Sequence, residues 1–187
     1  MTSPNFRLLD PELNQALEQA VARIQADLTQ AMPHIAPRLQ AWMQHLARSE
    51  QAADYFRQPI SFPLLQLPWW LAHSIDAANR KFLTDVVYST LNGYYFIRLI
   101  DNVMDGHSTH EVQLLPAAGF FHTQFQVAYQ TYFPAPHPFW QTFQHAWFRA
   151  AEITIRDADL TNITLEQFRE ISSHKVSAIH IPLAAIC

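Results

Sequence analysis

Glycine is the residue this chain almost lacks. Only Gly93, Gly106 and Gly119 occur in 187 residues, which leaves little material for the tight turns that join antiparallel strands. β-Branched alternation is equally sparse, whereas apolar residues recur three and four positions apart nearly everywhere, the period of a helix buried on one face. The chain is therefore expected to be all-α. Hydrophobic residues make up 49% of it and charged residues 15%, below the roughly 25% charged of ordinary soluble domains. Disorder is excluded, and the length fits one domain.

Twelve Lys and Arg stand against sixteen Asp and Glu, a formal charge of −4, which argues against a nucleic-acid partner. The single cysteine, Cys187, allows neither an internal disulfide nor a cysteine metal cluster, and a reducing, cytoplasmic location is the expectation. The first residues do not read as a signal peptide. No stretch reaches the roughly 18 uninterrupted apolar residues of a membrane span.

Asp10-Pro11 is a cap and first-turn signal, and Leu13, Leu17, Val21, Ile24 and Leu28 form one stripe up to the break at Pro33. A second helix is expected from about Pro37 through Leu46, and a short third from about Glu50 to Phe56. Pro59, Pro63 and Pro68 predict an extended apolar connector, with helix resuming at about Trp69. Lys81 to Asp105 reads as one long helix with Gly106 in the usual position of a left-handed cap. Pro116 to Phe133 and Phe139 to about Asp157 follow. Thr164-Leu165-Glu166-Gln167 matches a capping box and starts the last helix, which runs on to the terminus. Pro182 should kink it just beyond Lys175. With a start signal and no stop signal on that helix, the chain is expected to end inside a domain.

The chemistry concentrates on the helix from Lys81 to Asp105. Val87, Leu91, Tyr94, Arg98, Asp101 and Asp105 share one of its faces, and from Val86 onward Arg98, Asp101 and Asp105 are its only charged residues. Charges on an otherwise apolar helix need partners or a bound ion. The face is expected to open onto a cavity, oily near Val87 and ionic near Asp105. Two acids one turn apart suit a hard divalent ion such as Mg²⁺, which completes its shell with water and substrate phosphates. Arg98 can pair with Asp101 or with a phosphate. On spacing alone a second reading stands beside this one: a helix end emerging into water, with Arg98 bridging two solvated acids.

The segment Tyr94-Tyr95-Phe96-Ile97-Arg98-Leu99-Ile100-Asp101-Asn102-Val103-Met104-Asp105 resembles the first aspartate-rich motif of the class I isoprenoid synthases, closest to the squalene and phytoene synthase branch. There an aromatic, an arginine and Asp-x-x-x-Asp follow in order. The resemblance implies a helical bundle around a central cavity, with Asp101 and Asp105 holding Mg²⁺ and Tyr94 and Arg98 contacting the substrate. The farnesyl diphosphate synthase pattern, two adjacent aspartates and a later arginine pair, is not matched, because Asn102 follows Asp101 and no arginine pair follows Asp105.

Phe168 to Ala178 is similar to the Lys-Thr-Ala-like helix of trans-prenyl synthases, which implies a diphosphate contact for Lys175. The implied activity is ionisation of an allylic prenyl diphosphate, followed by prenyl transfer, condensation or cyclisation. The family's second acidic motif has no counterpart here; the chain is then either the N-terminal part of a larger isoprenoid-synthase domain or a degenerate relative. The alternative from another class is a non-catalytic helical protein that binds a lipid or isoprenoid. A homodimer and a peripheral membrane contact are compatible with the resemblance.

Between Glu111 and Arg149 there is no Asp, Glu, Lys or Arg. This aromatic-rich run serves either a cavity wall or the core, and Phe121, Phe125 and Tyr132 are assigned to the core. Trp69 and Trp70 are assigned to the core in preference to a membrane surface. No His-x-x-x-His pair falls on a helix face; His107 and His110 follow Asp105 either as outer-shell groups or as polar loop residues.

Overall fold

The computed structural model describes residues 10–76, 79–106, 109–159 and 162–187. Among them every regular element is helical and there is no strand: the chain is all-α. Helix α1 (Pro11–Ala31) begins where Asp10 accepts from the amides of Glu12 and Leu13, and its expected stripe is buried throughout. Helix α2 (Ala36–Ala47) ends at Arg48, which takes the left-handed conformation at φ 51° and receives α2 as its cap. A 3₁₀ segment, Ala52–Arg57, follows.

The proline-rich connector is helical, contrary to the extended segment expected. A 3₁₀ turn (Pro59–Ser61), a π turn (Phe62–Gln66) and α3 (Leu67–Ser74) run end to end. Each proline occupies one of the first two positions of its element, where the missing N–H is not needed and the fixed φ suits a helix. The three prolines therefore restart helices here.

Helix α4 (Arg80–Met104) is the centre of the molecule, packed chiefly on α6 and α1. Residues 86 to 93 are all buried. At Gly93 the chain crosses α6 so closely that a Cβ would stand 3.1 Å from the ring of Phe125. Gly106, at φ +68°, turns the chain after α4 as the cap signal predicts. Short α5 (Thr109–Val112) and a 3₁₀ turn lead into α6 (Ala118–Gln130), then α7 (Phe139–Ala158). Phe121 and Phe125 lie in the core, and Phe125 packs on Phe143 and Trp147 at ring distances of 4.8 and 4.9 Å. Trp69 is buried as expected, while Trp70 is exposed beside Phe62.

Thr164 and Gln167 form the reciprocal capping box that starts α8 (Leu165–Lys175). The helix breaks earlier than Pro182 suggested: it is capped at Val176 and passes through a 3₁₀ turn into α9 (His180–Ile186). Pro182 sits in the first turn of α9, again where no donor is required. Helix α9 packs on α7 and α3 and contributes Ile181, Ala185 and Ile186 to the core.

Candidate functional site

The last two turns of α4 carry the acids. Arg98 Nη1 donates to Asp101 Oδ2 at 3.2 Å, and the Asp101 side chain is 18% exposed. The Nε of Arg98 is buried without an acceptor. Asp105 is exposed and caps α4 one turn beyond Asp101.

Lys175, the last residue of α8, approaches from a different part of the chain. Its ammonium pairs with Asp157 Oδ2 of α7 at 2.5 Å and remains 43% exposed. That hydrogen bond raises the lysine pKa above its ordinary value, against partial burial, and the charges of Asp101 and Asp105 add to the rise. The charges of both α4 acids therefore act on Lys175, whose direct ion pair is with Asp157. Arg98 and Asp101 form one direct pair and Lys175 and Asp157 another, and the charges of the α4 acids act on Lys175 at longer range. Asp157 was legible in the sequence only as an acid preceding the lysine helix; its role as partner depends on the fold of α7 against α8.

The other sequence candidates distribute differently. Tyr94 packs its ring on Tyr55 at 5.0 Å and on Phe56 at 5.2 Å, so it belongs to the aromatic contact between α4 and the 3₁₀ segment. Burial, followed by the neighbouring Tyr55 hydroxyl, pushes its pKa upward. Val87 and Leu91 are core residues, and Val87 borders only a small apolar pocket shared with Leu65, Trp69, Val86 and Ile186. They lie deep in α4, where α1 and α6 flank the helix and close the space that the shared-face argument left open. His107 lies outside the described residues, as does the side chain of His110. Among the described residues no group of three or more His, Cys, Asp or Glu is arranged to hold a metal, and no helix is long and apolar enough to cross a membrane.

The sizeable cavity lies on the neighbouring face of α4. It has a volume of about 730 Å³, and its lining includes Arg38, Trp42 and Arg48 from α2 and its cap, Tyr55, and Arg98 and Asn102 from α4. Asp101, Asp105 and Lys175 are not among the lining residues. One wall is a buried polar triad that sequence reasoning missed. Glu111 Oε1 accepts from Trp42 Nε1 at 2.5 Å and from Asn102 Nδ2 at 2.6 Å. The available signal was Glu111 itself, the last charged residue before the long uncharged run.

Comparison with protein-family models, with curated proteins and with solved structures finds no match to this chain.

Proposed function

We propose that this chain is a class I isoprenoid synthase, or part of one, that uses Mg²⁺ to act on an allylic prenyl diphosphate. The observation that carries the reading is electrostatic: the charges of two carboxylates on α4, one of them paired with Arg98, act on a lysine contributed by α8. Two acids on adjacent turns, one partly buried and one exposed, fit a hard ion that takes one or two carboxylates and leaves room for water and phosphate oxygens. Asp101 and Asp105 would hold that Mg²⁺, which when bound takes up negative charge on a leaving diphosphate. Arg98 supplies a forked donor to a phosphate oxygen, provided it loosens its bond to Asp101. Lys175 is a point charge that exchanges Asp157 for the same diphosphate. A cytoplasmic location, a homodimer and a peripheral membrane contact belong to the same proposal, with exposed Trp70 the candidate for the last.

A second reading, a non-catalytic helical protein that binds a lipid or isoprenoid, draws on a specific observation. Val87 and Leu91 pack into the core and Val87 borders only a small apolar pocket, too little depth for a prenyl chain without rearrangement. The two readings separate in one assay. With the first, Asp101→Asn and Asp105→Asn each abolish Mg²⁺-dependent release of pyrophosphate from an allylic prenyl diphosphate while the helical circular dichroism is unchanged. Release that persists in both variants overturns the metal assignment; saturable binding of the prenyl diphosphate by the unaltered protein without release supports the second reading.

A further inference from the structure

The cavity between α2 and α4 is not explained by the carboxylate site. Three guanidinium groups, Arg38, Arg48 and Arg98, line it against one carboxylate, Glu111, whose Oε1 is engaged by Trp42 and Asn102. Among the described residues no carboxylate stands in salt-bridge range of Arg38 or Arg48, and Arg38 is bonded only to the neutral amide of Gln113. The protein as a whole is acidic, so the positive charge of Arg38 and Arg48 in a concave site is local; Arg98 is already paired with Asp101. Arg98 adds an N–H that lacks an acceptor. Beside these cations stand the aromatic walls of Trp42 and Tyr55. The volume of about 730 Å³ lies within the 300–1,000 Å³ range of small-molecule sites.

We propose that this cavity binds a phosphorylated small molecule with an apolar or aromatic body, in the absence of any metal. Several arginines lining one space suit the three oxygens and the charge of a phosphate monoester better than the two oxygens of a carboxylate. The concave, aromatic-walled shape selects a small ester over a nucleic-acid backbone. The site touches the carboxylate region through Arg98, which lines the cavity and is bonded to Asp101. Its recognition of phosphate nonetheless rests on Arg38 and Arg48, which take no part in the Mg²⁺ reading.

The test is calorimetric titration of the full chain with phenyl phosphate in excess EDTA, which silences any metal-dependent binding at Asp101 and Asp105. One saturable site is expected, with inorganic phosphate binding about tenfold more weakly because it leaves the aromatic walls unused. Arg38→Gln and Arg48→Gln are both at exposed positions, and each should weaken phenyl phosphate about tenfold. Lys175→Gln should leave it within about twofold. Absence of saturable binding, equal affinity for phenyl and inorganic phosphate, indifference to both arginine variants, or loss in the lysine variant would each overturn the proposal. Because metal is removed, failure here is independent of pyrophosphate release by the carboxylate site.

Discussion

Replacing Asn102 by aspartate is the sharpest perturbation the structure offers. The amide Nδ2 donates to Glu111 Oε1 at 2.6 Å, Trp42 Nε1 donates to the same oxygen, and all three residues are buried. Asn102→Asp exchanges a donor for an acceptor at constant shape and sets two carboxylates against each other away from water. Such a pair cannot stay doubly ionised without cost and takes up a proton, raising one carboxyl pKa by several units. An unrelieved charge clash between two buried carboxylates corresponds to about 4 kcal/mol of stability lost at pH 7. The sign follows from proton linkage. The folded variant holds a proton that the unfolded chain releases, so the penalty is absent below the unfolded pKa and grows as pH rises toward the folded one. Urea denaturation at pH 7.5 should give a variant about 4 kcal/mol less stable than the unaltered protein, and at pH 4.5 most of that deficit should vanish. Asn102→Ala, which removes the donor to Glu111 without adding charge, should cost about 2–3 kcal/mol at both pH values. A loss below about 1 kcal/mol at pH 7.5, or one equal at the two pH values, would refute the coupling to Glu111.

Gly93→Val should destabilise by about 1–3 kcal/mol in the same assay, because its Cβ already meets the Phe125 ring at 3.1 Å and that ring is held by Phe143 and Trp147. A neutral effect would mean that α4 and α6 separate easily. Burial pushes the Asp85 carboxyl up, but the donors Tyr132, Lys81 and Arg23 outweigh it and hold its pKa below the ordinary value. Its contribution to stability is therefore present above the unfolded pKa near 4 and lost as pH falls through the folded one. Asp85→Asn should flatten the acid limb of the urea midpoint between pH 4 and pH 2, and an unchanged limb would refute the assignment.

Long periodic segments and caps were readable because each rests on a few adjacent residues. Pro11 starts α1, Gly106 follows α4, and Thr164 with Gln167 starts α8. The connector from Pro59 to Pro68 was misread because a proline ends a helix or begins one according to its place in the turn, and neighbouring residues do not reveal that place. At the candidate site, α4 periodicity put Arg98, Asp101 and Asp105 on one face. It could not say that α1 and α6 would close the space near Val87 and Leu91. Helical spacing also hid the turn at Val176 that ends α8 at Lys175. Asn102 was visible beside Asp101, but its partner lies across a turn of the fold: its amide donates to Glu111.

Ile171 is the one buried residue of α8, and Leu165 and Phe168 are largely exposed. The helix is joined to α7 mainly by ion pairs: Arg156 reaches both oxygens of Glu170 at 2.8 and 3.1 Å, Arg149 stands 3.7 Å from the same carboxylate, and Asp157 holds Lys175. Apolar docking is not screened by dissolved ions, whereas exposed pairs are, over a Debye length of roughly 10 Å at 0.1 M salt and about 3 Å at 1 M. The lysine that faces the α4 acids thus rides on an element whose hold on its neighbour depends on the surrounding electrolyte. Ionic strength becomes a variable of the site's geometry, acting on the distance between Lys175 and the α4 carboxylates while leaving α4 itself, buried between α1 and α6, in place.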